Sequence, residues 1–361
     1  MAYQPVSREL AHTQPSRTGV LLIHLGTPSA PEPGAIRRYL RPFLSDPRVV
    51  EVPRPIWWLI LNLFILPLRP RKLVHPYQSV WSAEGSPLLA IGRRQRAGLA
   101  ERLGLPVALA MTYGEPSLAQ ALDELEAQNV RRLLVWPLYP QYSATTTAAA
   151  YDGLFRELMR RRWVPEIRTL GQYHDDPGYI EALAASVRAH WAREGRGGHL
   201  LISFHSIPRR YLEQGDPYHC QCQKTARLLA AALGLGERDW TISFQSRLGN
   251  QPWLMPYTDQ VVPQLAREGI TRLDVICPGF SADCLETLEE VSLRYGEDFR
   301  AAGGQALRYI PALNDSPDHL EALSRLARLA LQGLASESSA PEPERIAAVE
   351  PRLGCPVRHP R

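Results

Sequence analysis

A histidine at the end of an apolar run, and a row of acids about eighty residues further on, are the residues here best suited to move protons or hold a metal ion. Leu201-Ile202-Ser203-Phe204 leads into His205, and Ser206-Ile207-Pro208 then turns the chain toward a helix. In open parallel α/β sheets, ligands bind beyond the carboxyl ends of strands, which is where His205 falls. An imidazole takes up and returns protons near neutral pH. A histidine after a buried strand is more often structural, so position alone does not assign it. The flanking hydroxyls of Ser203 and Ser206 favour a working role, and the other histidines lack such context.

The acids stand in a similar place. Leu273–Cys277 reads as a strand, Pro278-Gly279-Phe280 as a turn, and Ser281–Tyr295 as the next helix. At α-helical spacing Asp283, Glu286 and Glu290 fall within about 60° of one another. Glu289 projects elsewhere, and Leu285, Leu288 and Val291 form a separate apolar face. On an arbitrary helix this is a solvated stripe. Beyond a strand end it is a row of carboxylates able to pass protons out of a cleft or guide a divalent cation in.

Three more segments have purposeful composition. Ile23-His24-Leu25-Gly26-Thr27-Pro28 ends a strand in a Gly-Thr-Pro turn. Tyr139-Pro140-Gln141-Tyr142-Ser143-Ala144-Thr145 puts hydroxyls at a helix start, where free backbone donors suit an anionic group or a simple N-cap. Gln245-Ser246-Arg247 through Trp253 is a polar loop with one arginine and a flat aromatic suited to a flat ligand.

The elements that must position these residues alternate along the chain. Strand-like runs at 19–25, 107–111, 130–136, 200–204, 241–244 and 273–277 are separated by helical periods at 34–44, 87–102, 118–128, 145–161, 178–194, 223–233 and 259–268. Further helices are expected at 281–295 and 318–332. Alternation of this kind predicts an α/β chain with parallel sheets. The Arg160-Arg161-Arg162 stretch with Pro165 marks a crossing between two lobes. The expected organisation is a flexible N-terminus (1–17), a first lobe (18–160), a second lobe (161–314), a last helix (315–335) and a disordered tail (336–361).

One segment does not suit a soluble core. Ile56-Trp57-Trp58-Leu59-Ile60-Leu61-Asn62-Leu63-Phe64-Ile65-Leu66-Pro67-Leu68 is apolar nearly all round and flanked by Arg54, Arg69, Arg71 and Lys72. It is too short to span a bilayer, and its tryptophans and basic flanks favour a pocket lip or interfacial anchor over a core helix.

Bulk properties exclude several classes. A net charge of +4 over 361 residues is too small for a dedicated nucleic-acid binder. Five scattered cysteines are not a disulfide framework and point to a reducing compartment. Cys220 and Cys222 with His219 suggest a metal clip, but no second pair stands at zinc-finger spacing, which leaves an exposed loop and helix start as the favoured reading. The N-terminus carries no secretory pattern, so a cytoplasmic protein is expected. Neither a dinucleotide fingerprint nor a P-loop is present; Gly195-Arg196-Gly197-Gly198 precedes a strand instead of following one.

Taken together, the motifs resemble the ferrochelatase family, whose members insert ferrous iron into a porphyrin late in haem synthesis. The resemblance rests on L-G-T-P at 25–28, S-V-W-S-A-E-G-S-P-L at 79–88 and Y-P-Q-Y-S-A-T-T-T at 139–147. It continues through S-F-H-S-I-P at 203–208, G-D-P-Y at 215–218, S-R-L-G-N-Q-P-W-L at 246–254 and C-P-G-F-S-A-D-C-L-E-T-L-E-E at 277–290. It implies two similar flavodoxin-like lobes with a cleft between them and a last helix packing back on the first lobe. His205 and Glu286 match the family's essential pair, as catalytic and metal-binding residues. Asp283 and Glu290 match the acids beside them, a proton relay or metal path. Leu25, Tyr113, Ser143, Thr145 and Trp253 are the expected porphyrin contacts. Leu25 occupies a position where some relatives carry a side chain near the metal, and leucine cannot ligate. Residues 55–69, with Trp57, Trp58 and Phe64, correspond to the pocket lip associated with membrane docking. Some relatives hold a [2Fe-2S] cluster on four cysteines; here the tail offers only Cys355, so no cluster is expected. The implied substrates are protoporphyrin IX and ferrous iron, with peripheral membrane contact and no tightly bound cofactor. The rival readings are a chelatase for coproporphyrin or a cobalt-accepting precursor, and a non-catalytic tetrapyrrole carrier.

Overall fold

The computed structural model describes residues 16–247 and 251–334. Eight strands form two parallel sheets: β1 (Arg17–Gly26), β2 (Val107–Tyr113), β3 (Val130–Pro137) and β4 (Glu166–Thr169), then β5 (His199–His205), β6 (Trp240–Gln245), β7 (Arg272–Ile276) and β8 (Ala306–Ile310). The central strands are continuous apolar runs because helices cover both faces of each sheet. Val20, Leu21, Leu22 and Ile23 of β1 are wholly buried, and Leu201 and Ile202 do the same for β5.

The two lobes share one permutation. Strand order is β2-β1-β3-β4 in the first sheet and β6-β5-β7-β8 in the second. In each, the chain winds outward from its first strand, then crosses back over it to the third. The direction of winding across the sheet therefore reverses between β1 and β3, and again between β5 and β7, and such switch points open a crevice at the strands' carboxyl ends. Apart from a shift between Arg17 and Thr18 at the start of β1, the central strands pair in continuous register: Leu22 pairs with Leu109 and Trp136, and Leu201 with Thr241 and Val275.

One apolar cluster runs through both lobes, joining Val20, Leu22 and Trp136 to Ile202, Phe204 and Ile276. The opposite faces have their own cores, around Leu21, Ile23 and Leu154 in the first lobe and Leu201, Val275 and Phe299 in the second. At roughly 1.5–3 kcal/mol per large buried side chain, the shared cluster holds the lobes together more strongly than any single polar contact. The last helix, Pro317–Leu331, packs across the seam: Arg328 Nη2 donates to the Arg102 carbonyl at 2.7 Å, and Arg325 pairs with Asp176. Gly98 makes that approach possible, since a Cβ there would sit 2.5 Å from Leu320.

Two sequence expectations change. The first lobe does not end at residue 160, because β4 pairs in parallel with β3 and carries that lobe to Thr169. Both fourth strands were missed for one reason: each is an edge strand, half-exposed and broken by an arginine (Arg168, Arg308), so neither reads as an apolar run. Arg17, placed in the flexible N-terminus, already belongs to β1. The remaining expectations for 1–15 and 336–361, together with Cys355 and positions 248–250, lie outside the described residues.

Candidate active site

The second lobe's switch point carries the histidine. His205 is the last residue of β5 and half-buried, in register with Gln245 on β6. Its Nδ1 lies 2.7 Å from the Ser206 carbonyl. A carbonyl only accepts, so Nδ1 carries the hydrogen and the Nε2 lone pair remains for a proton or a metal ion. The turn after His205 is held by Ser206 N donating to the Gln245 carbonyl at 2.8 Å and Leu254 N donating to the Ile207 carbonyl at 3.0 Å. An isolated bridge between Pro208 and Trp253 brings the half-buried Trp253 alongside that turn.

The acids follow β7, but not as an α-helical stripe. Glu286–Arg294 is a π-helix, whose i→i+5 winding is wider than the α-helix assumed from the spacing. Asp283 lies in the turn before it, outside the helix. Its buried carboxylate accepts from Tyr309 Oη at 2.6 Å, Asn314 Nδ2 at 2.7 Å, Thr287 Oγ1 at 2.9 Å and Ala312 N at 3.3 Å. With its acceptor capacity filled, Asp283 anchors the turn, and the expected three-acid row shortens to Glu286 and Glu290. Glu286 is half-buried, while Glu290 is buried, with Ser246 Oγ on one oxygen and Tyr295 Oη (2.7 Å) and Arg294 Nη2 (2.8 Å) on the other.

Base and acid are tied by a residue the sequence reading did not single out. Gln245 Nε2 donates to the Glu286 carbonyl at 3.1 Å, and its Oε1 accepts from Ser203 Oγ at 2.7 Å. One buried amide thus links the strand carrying His205 to the start of the acid-bearing helix. Its place at the head of the polar segment 245–254 was the available signal.

The first lobe supplies an apolar and aromatic wall. Tyr113, Tyr39 and Tyr77 are buried in a cluster that also takes in Leu25, Phe43, Trp57 and, from the second lobe, Leu285. Tyr113 donates to Asp46 Oδ2 at 2.9 Å and packs against Phe43, with ring centroids 5.2 Å apart. Burial raises the Tyr39 and Tyr77 phenols well above their ordinary value, and the Glu286 charge pushes the same way. They remain protonated donors beside the acid. Arg69 is held below its usual value by burial, an effect the Glu286 carboxylate opposes. The wall of the first lobe therefore lies within the electrostatic field of Glu286.

Ser143 is buried, while Thr145 is half-buried. The residues after β3 form a π-helix, Ala144–Ala148, whose N-terminus does bind an anion, but the anion is Asp216 of the second lobe. Ser143 Oγ and Ala144 N donate to Asp216 Oδ2 at 2.9 and 2.7 Å, and Thr145 Oγ1 lies 2.9 Å from Ser143 Oγ. The Ser143 hydroxyl thus serves a latch between lobes.

The lip is the three-part segment Arg54–Ile60, Leu61–Ile65 and Leu66–Val80, its middle part again π-helical. Its tryptophans divide. Trp57 turns inward and donates from Nε1 to the Leu44 carbonyl at 2.6 Å, while Trp58 and Phe64 are 62% and 61% exposed. Cys220 and Cys222 both lie on the helix Tyr218–Ala232, one exposed and one buried, so the C-x-C spacing is not a clip. Among the described residues no three His, Cys, Asp or Glu side chains gather as a ready-made metal cage.

Two parallel α/β lobes of one permutation define the class: this is the chelatase fold. The structure of SirB from Bacillus subtilis with Fe3+ matches it with a TM-score of 0.52 over 87% of this chain and 95% of that one, at 12% identity. Residues 17–331 match the Ferrochelatase family, and the chain belongs to it. It is 56% identical over 328 residues to the ferrochelatase of Thioalkalivibrio sulfidiphilus and 53% identical over 327 residues to that of Nitrosococcus oceani, covering 89% of both chains in each case. It is a lyase of haem biosynthesis that inserts iron into a porphyrin.

Proposed function

We propose that this chain inserts ferrous iron into protoporphyrin IX, with His205 as the proton acceptor and Glu286 as the acid that meets the metal. The observation that carries this reading is the Ser206 carbonyl on His205 Nδ1, which leaves a basic nitrogen at the switch point one strand away from Glu286.

A free-base porphyrin holds two N–H protons inside a flat ring. Iron enters only as those protons leave and the nitrogen lone pairs turn toward the ion. Contacts between the ring and the apolar wall of Leu25, Tyr113 and Leu285 supply binding energy that offsets bending it. Trp253 stacks beside the His205 turn. His205 Nε2 takes the two pyrrolic protons in turn, and Glu286 and Glu290 pass each one out to solvent along the π-helix before the next is taken. Balance requires two protons released for each Fe2+ bound. The ion is a substrate, so a loose set of oxygen and imidazole ligands suits it better than a thiolate cage that would retain it. No resident cofactor or iron–sulfur cluster enters the proposal.

The lip residues Ile56, Trp58, Leu59, Leu63, Phe64 and Leu68 are all exposed, the kind of apolar surface that meets lipid, ligand or partner. With Arg54, Arg71 and Lys72 around it, the patch is suited to lie on an anionic membrane from the cytoplasmic side. Among the described residues no helix is long and apolar enough to cross a membrane.

Absorbance assays of ferrous or zinc insertion into protoporphyrin and coproporphyrin test the substrate. The proposal predicts turnover with protoporphyrin and weaker activity with coproporphyrin. A reversed preference would move the assignment to the more carboxylated ring, and binding without insertion would leave only a carrier.

A further inference from the structure

A buried amide of the first lobe reaches the acid-bearing turn. Gln95, on the helix Pro87–Leu103, is fully buried and uses all the donors of its side chain. Nε2 donates to the Ser281 carbonyl at 2.9 Å and the Asn314 carbonyl at 3.0 Å, both in the second lobe. Oε1 faces His24 Nε2 of β1 at 2.9 Å. The amide has one permitted orientation, because carbonyls only accept and both Nε2 partners are carbonyls. His24 must therefore donate from Nε2. Gly92, one turn earlier, leaves the ring its room: a Cβ there would lie 3.1 Å from His24 Cδ2.

The carbonyls that Gln95 grips belong to the residues that place the acid. Asn314, at φ 52°, donates from Nδ2 to Asp283 at 2.7 Å and accepts from the Asp283 backbone N–H at 2.8 Å. Asp283 in turn receives Thr287 Oγ1, one residue beyond Glu286. Ser281 opens the same turn. The chain of contacts runs His24, Gln95, Ser281 and Asn314, Asp283, Thr287, and it ends at the first turn of the π-helix.

We infer that Gln95 is a positioning residue for metal insertion: it fixes Glu286 relative to the first lobe, which supplies the wall for the porphyrin. This rests on the reading of Glu286 as the acid that meets the metal. Gln95 touches neither substrate; it sets the height of the acid above the ring.

The test is zinc insertion by the full chain carrying Gln95→Met, which keeps the volume and removes every donor and acceptor, with zinc and protoporphyrin varied separately. The expected result is a fall in kcat/KM for zinc of roughly 10- to 100-fold, the usual cost of an outer-shell partner, with porphyrin KM unchanged. If the Met variant does not fold, Gln95→Asn keeps a neutral amide but draws it back from both carbonyls, and the same split is expected. Unchanged zinc kinetics, or zinc and porphyrin parameters worsening together, would overturn the inference and leave Gln95 a packing residue. Glu286→Gln assayed in parallel separates the two failures: near-normal turnover there defeats the reading of the acid itself, whatever Gln95 does.

Discussion

At the scale of single residues, the chemistry depends on which acceptors are already filled. Ser206 occupies one nitrogen of His205 and leaves the other, whereas Asp283 has four donors on it and the half-buried Glu286 carboxylate meets only the weakly donating Cys284 thiol among the described side chains. Glu286→Gln should therefore lower the insertion rate by orders of magnitude with the melting temperature unchanged; a collapse in melting temperature at a preserved rate would make the acid structural. Asp283→Ala should do the reverse first, costing about 3 kcal/mol of stability by stranding buried donors, as denaturant titration would read it. His205 was legible because an apolar run ends on it. The role of Asp283 was not, since counting at α-helical spacing put it on the same face as Glu286. Its true partners, Tyr309 and Asn314, lie some thirty residues away and share no pattern with it.

At the scale of elements, the two lobes repeat a device. The segment after the third strand of each sheet is π-helical, Ala144–Ala148 after β3 and Glu286–Arg294 after β7. In the first lobe the N-terminus of that helix is closed by Asp216; in the second it presents Glu286. Asp216→Ala should cost about 1.5–3 kcal/mol, the range for hydrogen bonds to a charged group, and adding Ser143→Ala should cost little more because both remove one contact. Additive losses in thermal or denaturant melts would mean that the latch is not a single unit. The central strands were legible as apolar runs and the helices as 3.6-residue periods. Winding within a helix was not, because π and α segments use the same residues and differ only in which carbonyl each N–H meets. An anion at the Ser143 turn was anticipated; that the chain provides it 73 residues later was beyond local reading.

At the scale of the whole molecule, a continuous core joins the lobes, and two buried histidines lie beside the Gln95 seam. Burial holds His24 and His319 neutral, each lowered to about 4. In the unfolded chain both return to about 6.5, so between these limits the unfolded state binds more protons and stability falls as pH falls. Each histidine accounts for up to roughly 3 kcal/mol across that window, none of it above pH 7. Melting temperature should drop steeply from pH 6.5 to 4.5, and His24→Asn should flatten the slope; an unchanged slope would remove His24 from the linkage. The lip makes its own prediction: Trp58→Glu with Phe64→Glu should abolish co-sedimentation with anionic liposomes while leaving insertion into detergent-dispersed porphyrin within about twofold, given how exposed both side chains are. Retained sedimentation would mean the patch meets something other than lipid. The two-lobed plan was legible from alternation and motif order, but the boundary at Thr169 and the seam through Gln95 depend on contacts between distant segments. The most direct test of the account is the rate of zinc insertion by His205→Ala, with porphyrin affinity followed by fluorescence on the same sample. The account predicts undetectable insertion with affinity close to that of the unaltered chain. Near-normal insertion would contradict it.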